Sequence, residues 1–409
     1  MQTISGKFGA RRRICVILVD RANYGRMHPV MRAIEADDTL ELLTVCAGTM
    51  LLERFGKAID VVSEDGFRID GQVYMELEGS TPTTMAKSTG MGIVEFSSEF
   101  QRLQPDLVLL IGDRYESLAA AIAAVYMNIA VAHVQGGEVS GSIDESARHA
   151  ITKLAHLHFP ATERSRDYIL RMGERPDCVF NVGCPSGDYI LNIDNRLPGD
   201  AFNRHGVGSD INPDDPFLLV IFHPVTTRFG DARAEVMELI GALHELARPT
   251  LWIWPNVDAG SDHIAKAIRL YRENCRKDTK WLRLIKNLDP ETFQKTLAMA
   301  ACAVGNSSSF IRDSSFSGTP VVLVGDRQSC REHGANLVCV DPEKNIIKAA
   351  IQKQLAHGHY PVENIYGNGT ASEQIVRHIK NFVPYRQKTL QYVYDDMCGH
   401  DRVYKLAGI

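Results

Sequence analysis

What this 409-residue chain lacks narrows what it can be. Its nine cysteines stand singly, with an odd total and no C-x-x-C pair, so a disulfide framework is not expected and a reducing cytoplasm is. No apolar stretch reaches the roughly 18 residues of a membrane span. No apolar signal core opens the sequence either, which places the expected location in the cytoplasm. There is no excess of positive charge. A formal net charge of -5 argues against nucleic acid or a membrane surface as partner, and the one basic cluster, Arg11-Arg12-Arg13, is short and runs straight into a strand. Walker motifs and G-x-S-x-G elbows are absent, and the turn after the first strand is not the G-x-G-x-x-G fingerprint of a dinucleotide fold, so NAD is not expected.

What is present is a soluble composition, 44% hydrophobic and 23% charged, with enough apolar residues for a sizeable core. The length suits two lobes of roughly 200 residues. Apolar runs of strand length alternate with amphipathic runs of helix length, which predicts βα repeats and mostly parallel sheets. In the first half strands are expected at 13–19, 40–46, 107–111, 130–134, 158–160 and 179–182, with one short extra strand within 60–78. After a break at 195–216, rich in Gly, Pro, Asp and Asn, they resume at 217–222, 250–254, 281–284, 302–304, 321–324 and 337–340. A helical region from 372 to 396, kinked or broken at Pro384, is long enough to cross back over the first lobe. The expected division is therefore 1–195 as an N-terminal Rossmann-like lobe, 196–216 as linker, 217–371 as a C-terminal Rossmann-like lobe, and 372–409 as the returning segment.

Ligands of parallel α/β sheets bind beyond the carboxyl ends of the strands, so the residues just after each apolar run are the candidates. Asp113 and Arg114 follow one strand, although Asp113 with Glu116 also reads as a D-x-x-E capping box. A glycine-loosened segment follows the next, bringing Glu138, Asp144, Glu145, Arg148 and His149 together; there too Asp144 can simply cap a helix. His149, His156 and His158 have spacing unsuited to one metal ion, and no metal site is expected. Arg21, placed after the first strand, can pair a phosphate. In the second half His223 and Asn256 follow strands, Ser307 and Ser308 open a helix where backbone N–H groups favour an anion or where serine is merely a cap, and Arg327 and Arg331 add positive charge.

Taken in order, DRANYG, GDRYES, GGEVSGSIDESARHAITKLAH, HPVTT, PNVDAGS, GNSSSFIRD, SGTPVVLVGDRQ and IYGNG resemble the hydrolysing UDP-N-acetylglucosamine 2-epimerases of sialic-acid and legionaminic-acid biosynthesis. The resemblance implies a GT-B architecture, two Rossmann-like lobes facing a central cleft, with no metal or other cofactor. It implies elimination of UDP from UDP-N-acetylglucosamine to a 2-acetamidoglucal, then hydration to N-acetylmannosamine. Carried over by position, Asp113 and Asp144 match catalytic acids. Arg21, Arg114, His223, Asn256, Ser307, Ser308 and Arg327 match nucleotide and phosphate contacts, and Asp313 matches the acid for the ribose hydroxyls.

One position departs, because the family's frequent H-x-E-G-G-E reads His133 to Glu138 here with Gln135 in place of the first acid. Gln135 and Glu138 therefore complete the candidate catalytic set with three explanations open: a subfamily that does not use this acid, a shifted role for Glu138, or an engineered change. The rival readings are the same reaction on UDP- or GDP-linked N,N'-diacetylbacillosamine, a non-hydrolysing epimerase, a GT-B glycosyltransferase, and a nucleotide-sugar-binding regulator that has lost catalysis. A nucleotide sugar is the expected partner, and a homo-oligomer, dimer or tetramer, the expected assembly.

Overall fold

The computed structural model describes residues 11–391 apart from 80, 195, 205, 226, 227, 229, 256, 257, 259 and 276–278. Strands β1 (Arg12–Leu18), β2 (Leu40–Ala47), β3 (Gly71–Val73), β4 (Leu107–Ile111), β5 (Ala130–Val134) and β6 (Leu157–Phe159) form one sheet in the order β3-β2-β1-β4-β5-β6, parallel throughout. A second sheet contains β7 (Val207–Gly208), β8 (Leu218–Ile221), β9 (Thr250–Ile253), β10 (Leu282–Ile285), β11 (Cys302–Gly305), β12 (Val321–Val324) and β13 (Leu337–Val340), in the order β13-β12-β11-β8-β9-β10-β7. Only β7 runs antiparallel, against β10. Without it the two sheets have the same doubly wound order. In each, the strand order reverses at the first strand's junction with the fourth, β1 with β4 and β8 with β11. Ligand crevices open at such switch points.

The strands read as near-continuous apolar runs because both faces are covered. In β1 the residues Ile14, Val16 and Leu18 enter one core while Cys15 and Ile17 enter the other. Sheet two is sandwiched likewise, with Val220 and Trp252 on one side and Leu219 and Leu251 on the other.

Two local expectations change. Residues 179–182 do not form a strand; they pair with the sheet through an isolated parallel bridge between Val179 and His158, and Val182 enters its core. Within the apolar run expected as the strand 337–340, Cys339 is exposed rather than buried, and β13 is an edge strand. The helical region expected from 372 to 396 with a kink or break at Pro384 is the helix Ala371–Asn381, which ends in extended backbone at Phe382, two residues before that proline, while 392–396 lie outside the described residues. Its apolar side, Ala371, Ile375 and Ile379, enters the core of the first sheet.

Beyond Pro384 the chain is held by Tyr385, whose hydroxyl donates to the His156 carbonyl at 3.2 Å, by the Gln391 N–H on the Gly173 carbonyl at 2.8 Å, and by one carboxylate. Glu174, 2% exposed, accepts from His158 Nε2 at 3.1 Å, Lys153 Nζ at 2.5 Å and Lys388 Nζ at 2.6 Å. Lys388 also donates to the carbonyls of Lys153 and Ala155, at the end of the helix Ile143–Leu154, where a cation complements the helix dipole. Burial opposes ionisation of Glu174, but His158, Lys388 and Lys153 outweigh it and hold the carboxyl down at about 2. Burial also pulls the Lys388 pKa down, so the net gain from the pair is modest. Lys388→Met should lower stability by about 1–3 kcal/mol in thermal or urea unfolding, less than for a wholly buried pair because the lysine is 20% exposed. A depressed carboxylate contributes fully above its unfolded pKa and loses that contribution as pH falls through the folded value. The gap between parent and variant should therefore persist down to the ordinary glutamate value of 4.5 and close only toward about 2. A gap that closes between about pH 7 and pH 5 would show that Glu174 is not its source.

Candidate active site

The carboxyl ends of both sheets face one cavity, and both switch points open into it. From the first sheet come Arg21 after β1, Asp113 and Arg114 after β4, and Asp144 beyond β5; from the second come His223 after β8, Ser307 and Ser308 after β11 with Asp313 on the same helix, and Arg327 after β12. Of the residues singled out in the sequence, these nine line the cavity. Gln135 and Glu138 lie just outside it, and Asn256 lies outside the described residues.

Three readings of these segments as simple helix starts do not hold. The helix Tyr115–Tyr126 is capped by Arg114 with no side-chain bond, so the D-x-x-E box is not made. Glu116 is instead fully buried against Arg114, 3.0 Å away, and burial first, with Glu76 adding, pushes its carboxyl up to about 8. Helix Ile143–Leu154 is capped by Ser142, leaving Asp144 inside the first turn. Ser308 stands at the N-cap of Ser309–Ser315 without a side-chain cap bond; its hydroxyl accepts from Arg312 Nη2 at 2.6 Å, while Ser307 takes the local bond, accepting from the Ser309 N–H at 3.4 Å.

The charges are arranged across the cleft. Arg114 bridges to Asp258 of the second sheet's loops as well as to Glu116. Glu138 is 4% exposed and pairs with Arg312 at 2.9 Å and Arg331 at 2.7 Å, both from the other side. Arg327 lies 3.3 Å from Asp144. Arg21 reaches over to donate to the Trp254 carbonyl at 2.8 Å.

Two aspartates of like type end up in opposite states. Asp113 pairs with Arg148, which also donates to the Glu138 carbonyl at 2.7 Å. Burial works against its charge, but the guanidinium groups of Arg148, Arg331 and Arg312 outweigh it and hold the carboxyl well below the usual range. Asp144 is raised, by burial first and then by the charge of Asp113, against the pull of Arg327. Both remain about a quarter exposed to the cavity, at 25% and 24%. His223 is pushed down to about 3 by burial, with Arg327 adding, so its imidazole is neutral near pH 7. The histidines once considered as a set go to separate partners: His149 to Glu145, His156 to Tyr385, His158 to Glu174.

A family described as UDP-N-acetylglucosamine 2-epimerase matches residues 32–380. The chain belongs to that family. It is 34% identical over 370 residues to the UDP-N,N'-diacetylbacillosamine 2-epimerase (hydrolyzing) of Legionella pneumophila, covering 90% of this chain and 96% of that one. It is 30% identical to the GDP/UDP-N,N'-diacetylbacillosamine 2-epimerase (hydrolyzing) of Campylobacter jejuni, covering 84% and 88%. Among solved structures, the S. aureus MnaA–UDP co-structure superposes with a TM-score of 0.75 at 20% identity, over 93% of this chain and all of that one. The fold is thus the GT-B architecture of the 2-epimerases.

Several residues of this epimerase-family site carried no legible signal. Arg26 lines the cavity one turn beyond Arg21, Gln294 donates to Asp313 at 3.2 Å, and Asp258 is the partner of Arg114 from 144 residues away. Arg312, four residues after Ser308, shares a helix face with it, which the spacing contains but does not announce.

The loop before Asp144 fits the opposite loop backbone to backbone. The Gly141 N–H donates to the Arg327 carbonyl at 2.9 Å, and a Cβ on Gly141 would collide with the carbonyl of Asp326. Gly141→Ala should therefore fold normally and lower turnover by about 10²-fold, the scale of an ångström of misplacement. Steady-state rates with a matched melting temperature would check it; full activity would mean the two loops need not meet.

Proposed function

We propose that this chain is a hydrolysing 2-epimerase of UDP-linked 2-acetamido sugars, converting UDP-N-acetylglucosamine and water to UDP and N-acetylmannosamine. The observation that supports it most is the single cavity onto which one sheet turns two carboxylates and the other turns serines, a neutral histidine and an arginine. Ser307, Ser308, His223 and Arg327 would take the diphosphate, with Arg21 and Arg114 adding positive charge, and Asp313 the ribose hydroxyls.

The chemistry follows from the two aspartates. As the C1–O bond breaks, its electron pair leaves with UDP and positive charge develops at C1. Asp113, held ionised, suits stabilisation of that charge. Asp144, whose carboxyl is raised, suits removal of the C2 proton, because a base works best when its pKa approaches the working pH. The C2–H pair becomes the C1–C2 double bond of the glycal. Water then adds its oxygen to C1 while C2 regains a proton on the opposite face, giving the manno configuration.

A second reading is the same reaction on N,N'-diacetylbacillosamine linked to UDP or GDP, the sugar in the names of the Legionella and Campylobacter relatives. Incubation in heavy water with each nucleotide sugar separates the possibilities. UDP-N-acetylglucosamine should give UDP and N-acetylmannosamine carrying deuterium at C2. UDP release from the bacillosamine sugar alone would move the assignment to the second reading. UDP-N-acetylmannosamine as product would make the enzyme non-hydrolysing, and a retained C2 proton would exclude elimination altogether.

Asp113→Asn and Asp144→Asn should each slow turnover by about 10²–10⁴-fold while leaving UDP affinity intact. The parent rate should fall on acidification through a pKa above the ordinary aspartate value of 3.8, because Asp144 must be ionised to accept a proton and its carboxyl is raised. That acidic limb should vanish in the residual activity of Asp144→Asn. Its persistence there, unchanged, would assign the proton transfer to another group.

A further inference from the structure

A buried chain of hydrogen bonds passes beneath the cavity from Arg26 to Asp313 and crosses from one sheet's loops to the other's. Arg26 Nη1 donates to Gln135 Oε1 at 2.6 Å, and Gln135 Nε2 donates to Cys184 Sγ at 2.9 Å. Cys184 Sγ and Ser186 Oγ are 2.7 Å apart, and Ser186 Oγ donates to Asp313 Oδ1 at 2.7 Å. None of the five is more than 8% exposed.

The acidic end fixes the order of protons. Ser186 has a single hydroxyl proton and Asp313 receives it, so the Cys184 S–H must donate to Ser186. The thiol keeps that proton at neutral pH, since burial pushes it up to about 11. The sulfur is then left to accept, and residue 135 must donate to it. At the other end Arg26 can only donate, so residue 135 must also accept. A primary amide does both. A carboxylate offers acceptors alone: it would draw the thiol proton away from Ser186, set two acceptors against each other at the Cys184–Ser186 contact, and pair off the Arg26 charge. As it stands, Arg26 donates to neutral groups, the Ala22 carbonyl at 2.9 Å and the Gln135 amide, with the charges of Asp20 and Asp313 near enough to favour its own, and it lines the cavity.

We infer that Gln135 is a positioning residue, whose amide holds the Arg26 guanidinium toward the anionic part of the nucleotide sugar and ties it through Cys184 and Ser186 to Asp313. The amide in place of the family's frequent acid then belongs to a working site built around it. This inference rests on the reading that a UDP sugar fills the cavity.

Calorimetry with UDP and steady-state rates on the full chain test it. Gln135→Glu should bind UDP about tenfold more weakly and turn over more slowly, the scale of one charge-assisted hydrogen bond. Cys184→Ala should show a similar loss, whereas Cys184→Ser, whose hydroxyl can accept from Gln135 and donate to Ser186, should stay within about threefold of the parent. A Gln135→Glu protein that binds UDP as tightly and reacts as fast as the parent, or faster, would overturn the inference. A parent that binds no UDP would defeat the functional reading instead. The chain itself can still be judged without ligand: in urea unfolding, Gln135→Met and Cys184→Ala should be non-additive, and strict additivity would overturn the coupling.

Discussion

Buried guanidinium groups joined to carboxylates on the opposite side of the cleft are what the rest of this site depends on. Arg114 meets Asp258, Arg312 and Arg331 meet Glu138, and Arg327 meets Asp144. A charge removed from water without a partner is expensive, and a broken buried pair costs several kcal/mol. Each sheet supplies loops carrying charges that the other completes, so the ion pairs fix how the two sheets face each other. The pairs are also arranged in series. Arg148 fixes Asp113 and the Glu138 carbonyl, Glu138 fixes Arg312, and Arg312 fixes the Ser308 hydroxyl. A displacement at either switch point is thereby felt at the other.

This explains which parts of the molecule can be read from its sequence. Apolar runs bounded by small polar residues locate strand ends, and in a parallel sheet the strand end is where ligands sit; Asp113, Asp144, His223 and Ser308 are found that way because the signal is local. Partners are another matter. Arg114 and Asp258 are 144 residues apart, Arg312 and Glu138 are 174, and Arg327 and Asp144 are 183, and no local pattern encodes such pairings. The same limit makes the capping readings fail. Asp113 and Glu116 have the spacing of a capping box, but a buried arginine nearby offers each carboxylate a stronger partner than a backbone N–H, and the helix starts uncapped. Cys339 is a smaller instance: whether a strand lies at a sheet edge depends on what packs alongside.

Gln135 shows the converse, a residue type that is informative only in company. Read alone, an amide where related sequences frequently carry an acid suggests a damaged site, since an amide takes no proton at neutral pH. Read with Cys184, Ser186 and Asp313, it occupies a position where donor and acceptor must lie on opposite sides. The motif that contains it names the position; the partners decide what the position requires.

The contrast between Asp113 and Asp144 follows from the same geometry and ties the chemistry to the arrangement of the sheets. The field that keeps Asp113 ionised comes first from Arg148 on its own side and then from Arg331 and Arg312 across the cleft, while burial first and the charge of Asp113 next raise Asp144 against the pull of Arg327. Were the sheets to separate, Asp113 would keep Arg148 but lose two of its cations, and the difference between the two carboxyls would narrow. On the reaction proposed above, two acids held in opposite states would serve departure of the diphosphate and transfer of the C2 proton. In that proposed reaction the glycal would be a reactive enol derivative, and forming it in the cavity between the two sheets would keep it beside the groups that hydrate it.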